Sequence, residues 1–397
     1  MTGEAVTVAA PVDIETRLAT YACRASEWSS PMEFDLSKLC DRDNLASMFD
    51  SGAVRTVRDE IDLIGSDLYD LHHPGEKHDV LARLEFVQEL LSQGVAYGRW
   101  FLFPWSKQLV RYPGREDLRA LRTSRNRNLI TSYEQGKLYA STIAVFGLSV
   151  GSKVVEQLVA SGIGGTMIMG DPDHVTPSNL NRTCGGMSDV GMTKVHRSAR
   201  DVCEVDPYIR QVHFAEGITS DCLGALAAAR PDIIFDEVDD LSAKAVIRRF
   251  AQVQHIPVIM ATDLGDRSII DVERYDLPGT KLFNGRLKNS EVERLAAGGF
   301  TDKEKRKFML KVVGIRHVTA RVLDSVMQID KTLGGLPQLG VTASAGGSLA
   351  AVAAREILLS RRLGSGRYVY SPKSILTLAP QASFSDGVQT LLKFARS

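Results

Sequence analysis

Five polar side chains follow three apolar runs at a spacing that suits phosphate chemistry. They are Asp171, Asn179, Arg182, Lys194 and Asp239. The run IAVF at 143–146 breaks at the small-residue turn Gly147-Leu-Ser149-Val-Gly151, and an amphipathic stretch follows. A second apolar run at 166–169 ends on Asp171, 24 residues beyond Gly147. Strand, turn, helix, strand and acid in that order make a nucleotide-binding βαβ unit. In such a unit backbone at Gly147, Ser149 and Gly151 approaches the nucleotide at a helix N-terminus, and Asp171 accepts the ribose hydroxyls. Asn179, Arg182 and Lys194 then lie just past the acid. Cations there suit a triphosphate, and point to ATP rather than a nicotinamide. Asp239 follows a further apolar run, DIIF at 232–235, where a carboxylate can hold Mg2+ against the phosphates.

This set meets the needs of acyl-adenylate formation. A carboxylate is ionised near neutral pH, so its attack on the α-phosphate needs no general base. The protein has to hold the nucleotide, neutralise phosphate charge and place the metal. Each residue also has a plainer reading. Asp171 can cap a turn with Pro172, Asn179 can cap a short helix, and Arg182 and Lys194 can be solvated charges. Asp239 shares an acidic cluster with Asp236, Glu237 and Asp240, part of which suits a helix N-terminus. Gly147-Leu-Ser149-Val-Gly151 also fits the G-x-S-x-G nucleophile elbow of a serine hydrolase, which leaves Asp171 and the cations without a task. Cys184 has no histidine positioned for it and reads as an inert thiol. His174 and His317 lack metal-ligand spacing.

The elements that position these residues are an open, mostly parallel, doubly wound α/β sheet. Apolar runs at 143–146, 166–169, 211–214, 232–235, 257–260 and 268–275 are short and continuous, as in strands buried on both faces. The first five alternate with helical segments at 152–160, 193–205, 220–229 and 243–254. A charged stretch at 279–335 reads as a loop followed by helices. A small-residue helix at 342–359 leads to a last strand-like segment. We expect three units: a mainly helical N-terminal accessory domain over residues 1–121, an ATP-binding domain over 122–375, and a tail over 376–397. In the first unit helices are expected at 14–25, 54–71 and 80–91, and an aromatic, strand-like stretch at 97–110.

Composition narrows the class. The chain has 397 residues with 48 basic and 48 acidic side chains, so bulk charge favours neither nucleic acid nor a membrane surface. Its five cysteines (Cys23, Cys40, Cys184, Cys203, Cys222) are scattered and form no CxxC pair, as in a cytoplasmic protein without disulfides or a four-cysteine zinc site. The first residues lack the pattern of a signal peptide. No apolar run reaches the roughly 20 residues that span a bilayer.

The same residues carry a family resemblance. DPDHVTPSNLNR from Asp171 to Arg182, GMTK ending on Lys194, DIIFDEVDD ending on Asp240 and GVTASAGGSLAAVAAREILL beginning at Gly340 resemble the ThiF/MoeB-like adenylyltransferases, relatives of the ubiquitin-activating enzymes. The likeness covers roughly residues 124–359 and implies a Rossmann-like fold and adenylation of a carboxylate. The substrate it implies is the C-terminus of a small ubiquitin-like or sulfur-carrier protein, or of a peptide. It assigns Asp171 to the ribose, Asn179, Arg182 and Lys194 to the phosphates, and Asp239 to Mg2+. Lys244 falls where the family often has a basic residue near the substrate tail. SRNRNLITSYEQGKL resembles the arm before the first strand, which implies a homodimer in which Arg127 reaches the partner's ATP. The chain departs from the family in its Gly spacing (G-x-G-x-x-G in relatives, one residue longer), in Asp240 where Asn is common, and in lacking zinc-binding CxxC pairs. No cysteine lies beyond Cys222, so adenylation without a ubiquitin-type thioester is expected. A non-catalytic ThiF-like subunit and an NAD(P)-dependent oxidoreductase are the alternatives.

Overall fold

The computed structural model describes residues 28–372, together with Ile14 and Leu18. The helix expected over 14–25 and the tail over 376–397 otherwise lie outside the described residues. The N-terminal part has helices at Leu39–Asp50, Ile61–His72 and Val80–Ser92. Beside them stands a four-stranded sheet of β1 (Met32–Phe34), β2 (Thr56–Arg58), β3 (Arg99–Phe103) and β4 (Gln108–Tyr112), in the order β1-β3-β4-β2. The strand-like stretch of the sequence is the β3–β4 hairpin.

Alternation along β3 explains why its residues after Arg99 are all apolar. Trp100 and Leu102 join the unit's own core with Phe34, Leu45 and Leu109. Phe101 and Phe103 point the other way and pack with Leu118, Cys203 and Tyr208, which joins this unit to the larger domain. Polar bonds seal the seam. Trp105 Nε1 donates to Glu204 at 2.8 Å, and the Arg122 guanidinium sits 2.5 Å from the Asp206 carboxylate.

The larger domain holds the expected sheet. Its strands are β5 (Thr142–Phe146), β6 (Thr166–Gly170), β7 (Arg210–Phe214), β8 (Ile233–Asp236), β9 (Val258–Leu264), β10 (Arg267–Glu273) and β11 (Gly366–Tyr370). They lie in the order β11-β10-β9-β8-β5-β6-β7. The run from β9 to β7 is parallel, while β10 and β11 pair antiparallel. Ile143 and Val145 of β5 face one core with the helices Val150–Ala160, Lys194–Val205 and Gly340–Leu358; Ala144 and Phe146 face a second core on the opposite side. Burial on both faces is why these runs show no polar alternation. Helix Gly340–Leu358 crosses Val150–Ala160 so closely that a Cβ on Gly347 would lie 2.7 Å from the Lys153 backbone.

The chain winds outward from β5 in both directions, to β6 and β7 on one side and to β8 and β9 on the other. β5 is therefore the topological switch point, and in sheets of this kind the ligand crevice is expected outside the carboxyl ends of the strands, here β5, β6, β8 and β9.

Candidate nucleotide-binding site

Four strand ends meet at this crevice, and each brings one of the polar residues. The turn after β5 begins at Gly147, whose φ is +83°. A Cβ there would sit 2.3 Å from the Glu237 carbonyl oxygen, so a glycine is required for two reasons. Gly147 N–H donates to Gly170 O at 2.9 Å, and Leu148 N–H donates to Asp171 Oδ2 at 2.5 Å. Asp171 Oδ1 accepts the Asp173 N–H at 2.8 Å. Asp171 thus ties the ends of β5 and β6 together while 4% exposed. Burial raises its carboxyl above the usual range, against the opposing pull of the Leu148 N–H and of Lys194.

Lys194 opens the helix Lys194–Val205, which Thr193 caps through the His196 N–H. Its ammonium lies 2.7 Å from Asp173 Oδ2 and 4.0 Å from Asp171 Oδ2. Arg182 comes from the loop after β6. Its Nε donates to Ser149 Oγ at 3.1 Å, and its Nη1 donates to Ser178 O and Asn181 Oδ1. A permanent cation therefore faces the Ser149 hydroxyl, where a hydrolase needs a base. Ser149 is the N-cap of helix Val150–Ala160 but makes no side-chain cap bond, so the first-turn N–H groups keep their capacity for an anion.

Asn179 does the work of a cap. Its Oδ1 accepts the Thr176 N–H at 3.0 Å, and its carbonyl accepts the Thr183 hydroxyl. It shapes the 3-10 turn Pro177–Asn179 that carries Arg182. Asp239 is exposed just beyond β8. Its neighbour Asp240 caps helix Leu241–Gln254 by accepting the Ala243 N–H at 2.8 Å. Glu237 lies buried beneath the turn, accepts the Ala261 N–H at 2.7 Å and is held well above the usual range by burial.

Two further candidates stand apart from this group. Lys244 is 7% exposed, and its ammonium is spent on Asp236 Oδ1 at 3.3 Å and on the Met260 sulfur. Arg248 bridges the same Asp236 to Glu273, completing a buried ion network. The substrate contact that the resemblance implies for Lys244 finds no free ammonium here. Arg127 is exposed and donates to Leu71 O at 3.3 Å, on the N-terminal unit. Cys184 lies 3.3 Å from a Glu156 carboxylate oxygen; burial pushes its thiol up to about 11, which fits an unreactive cysteine.

The sequence reading missed Asp263 and Gln338. Asp263 lies in the last turn of strand before the β9–β10 hairpin and is 8% exposed. Its Oδ1 accepts from Gln338 Nε2 at 3.2 Å, while Gln338 O accepts from Asn181 Nδ2 at 2.9 Å. The available signal was an acid closing an apolar run (VIMATD), the same pattern that singled out Asp171.

The sequence profile of the ThiF family matches residues 123–367. An uncharacterized protein of Mycobacterium tuberculosis is 36% identical over 270 residues, 68% of this chain and 37% of that protein. The tRNA threonylcarbamoyladenosine dehydratase 2 of Saccharomyces cerevisiae is 32% identical over 170 residues, 40% of this chain and 34% of that one. The sulfur carrier protein ThiS adenylyltransferase of Escherichia coli is 27% identical over 133 residues, 33% of this chain and 52% of that one. The chain thus spans about a third to a half of the length of these relatives.

Proposed function

The chain belongs to the ThiF family, and on that premise we propose that it activates a carboxylate as an acyl-adenylate at the expense of ATP. The observation that carries this reading is the uncapped start of helix Val150–Ala160 with the Arg182 guanidinium bonded at its cap residue, Ser149. An open helix N-terminus beside a fork of N–H donors is a phosphate site. Gly147 lets the turn pack directly against the Glu237 carbonyl, which fixes the start of this helix at the strand ends.

In this reading a carboxylate oxygen attacks the α-phosphorus, the bond to the bridging α–β oxygen breaks, and pyrophosphate leaves with that electron pair. The nucleophile arrives ionised, so no side chain has to take a proton. Arg182 and Lys194 neutralise the phosphates, Asp171 orders the turn and faces the ribose, and Asn179 holds the loop that presents Arg182. Asp239 would hold Mg2+, which supplies charge neutralisation on the leaving pyrophosphate when bound.

The acyl substrate we assign is the C-terminal carboxylate of a small carrier protein or peptide; the ThiS adenylyltransferase relative is named for a sulfur carrier protein. No thioester step is assigned to Cys184 or Cys222, whose thiols burial pushes up to about 11. Arg127 is assigned to a homodimer, in which it would serve the partner's site. The test is pyrophosphate release with a panel of carrier C-termini and peptides. Release dependent on an acyl substrate and abolished by Asp239→Ala with the fold intact supports the reading; full activity in that variant sinks it.

A further inference from the structure

β8 and β9 run in parallel with a constant offset of 24 residues. Ile234 faces Val258 and Phe235 faces Ile259. Beyond the ladder, Ala261 N–H donates to the Glu237 side chain, which ties the end of β8 to β9. Asp263 stands near the carboxyl end of β9, and Asp239 follows the carboxyl end of the neighbouring β8, just ahead of helix Leu241–Gln254. Both carboxylates therefore lie at the same edge of the sheet, at the ends of adjacent strands.

The state of Asp263 singles it out. The residue is more than nine-tenths buried, and Gln338 occupies only its Oδ1. Its Oδ2 is buried and has no hydrogen-bond partner among the described residues. A buried carboxylate oxygen left unpaired is costly, and a fold retains one where a ligand completes it. The charged groups acting on this carboxyl are Arg182, which favours its ionised form, and Asp239, which opposes it, with burial the largest influence. Arg182 is joined to Asp263 through Asn181 and Gln338, and Asp239 stands at the end of the neighbouring strand.

We propose that Asp263 is a second carboxylate ligand, with Asp239, of the divalent cation that accompanies the nucleotide. Mg2+ is commonly held by one or two carboxylates and takes its remaining ligands from substrate phosphates and water. Among the described residues no group of three or more His, Cys, Asp or Glu is arranged to hold a metal, which suits a cation that binds only with the nucleotide. Gln338 fixes the carboxylate by one oxygen and leaves the other for the metal. Its carbonyl is held by Asn181, next to Arg182, so the metal ligand and the phosphate cation are set by one chain of bonds. This inference rests on the nucleotide reading of the site.

The experiment is Mn2+ binding followed by electron paramagnetic resonance, with and without α,β-methylene ATP, on the wild-type chain, Asp239→Asn and Asp263→Asn. Asp263→Asn keeps the bond to Gln338. We expect it to lower Mn2+ affinity of the nucleotide complex by at least about tenfold, as loss of even an outer-sphere partner does. We also expect the metal-free variant to melt at a higher temperature, because an unpaired buried charge is gone. Unchanged Mn2+ affinity in Asp263→Asn, with the wild type binding nucleotide and Asp239→Asn weakened, overturns this inference alone. A wild-type chain that binds no nucleotide overturns the nucleotide reading and this inference together. Asp263→Ser, read the same way, keeps the test standing if the asparagine variant fails to fold.

Discussion

Asp171 Oδ2 accepts the Leu148 N–H at 2.5 Å, so the acid that ends β6 holds the turn that ends β5. The bond is charge-assisted and buried, and it sets where the backbone of the turn stands relative to helix Val150–Ala160. Asp171→Ala leaves that N–H unsatisfied and deprives Lys194 of one of its two carboxylates. We expect a loss of about 1–3 kcal/mol in stability together with weaker nucleotide binding. Urea unfolding and calorimetry on the same preparation measure both.

Gly147 is the most constrained residue of the turn. Gly147→Ala introduces a Cβ 2.3 Å from Glu237 O at a φ of +83°. The backbone has to move, at a cost of about 1–3 kcal/mol, and the helix start moves with it. We expect a lower urea midpoint and no measurable nucleotide affinity. A variant that binds as the wild type does would show that the turn is not the phosphate cradle.

Lys244 should behave oppositely to Lys194. Lys244→Met removes one of two cations from the buried Asp236 and is expected to cost about 3–5 kcal/mol, with nucleotide affinity kept in the folded fraction. Lys194→Met, at the crevice, is expected to reduce affinity more than stability. The pair of variants, scored by denaturant midpoint and by binding, separates a core cation from a ligand-facing one.

Glu237 provides the pH dependence. Burial raises its folded-state pKa well above the 4.5 of the free side chain. A raised carboxyl pKa means that the folded state binds the proton more tightly than the unfolded chain. Stability is therefore unpenalised below about 4.5 and falls as pH rises from there through the folded-state value. Glu237→Gln keeps an acceptor for Ala261 N–H and cannot ionise. Its melting temperature is expected to exceed that of the wild type at pH 8 by more than at pH 5. A difference that does not vary with pH would show that Glu237 ionises as freely in the folded state as in the unfolded one.

Much of the fold was legible because burial on both faces writes itself into the sequence as short continuous apolar runs. All six runs of the larger domain became strands, and helices Val150–Ala160, Lys194–Val205, Ser220–Ala229 and Leu241–Gln254 fell between them. The strands β1 and β2 have three residues each, too few for any period to show, and β2 is exposed throughout. The turn at Gly147 and the positions of Asp171, Arg182 and Lys194 were readable from order and spacing. That Asn179 can cap a short turn was readable too, while the pairing of Lys244 with the buried Asp236 was not, since it forms only once the chain is folded. Asp263 escaped notice because its bond to Gln338, 75 residues further on, forms only in the folded chain and leaves no trace in local spacing.

The central claim is that the crevice binds ATP through Arg182, and calorimetry tests it most directly. The wild-type chain and Arg182→Ala are each titrated with Mg2+·ATP and, separately, with NAD. The account predicts ATP binding by the wild type, a roughly tenfold or greater loss in Arg182→Ala from a missing charge-assisted bond, and no NAD binding. NAD binding without ATP binding, or ATP affinity indifferent to Arg182, would contradict it.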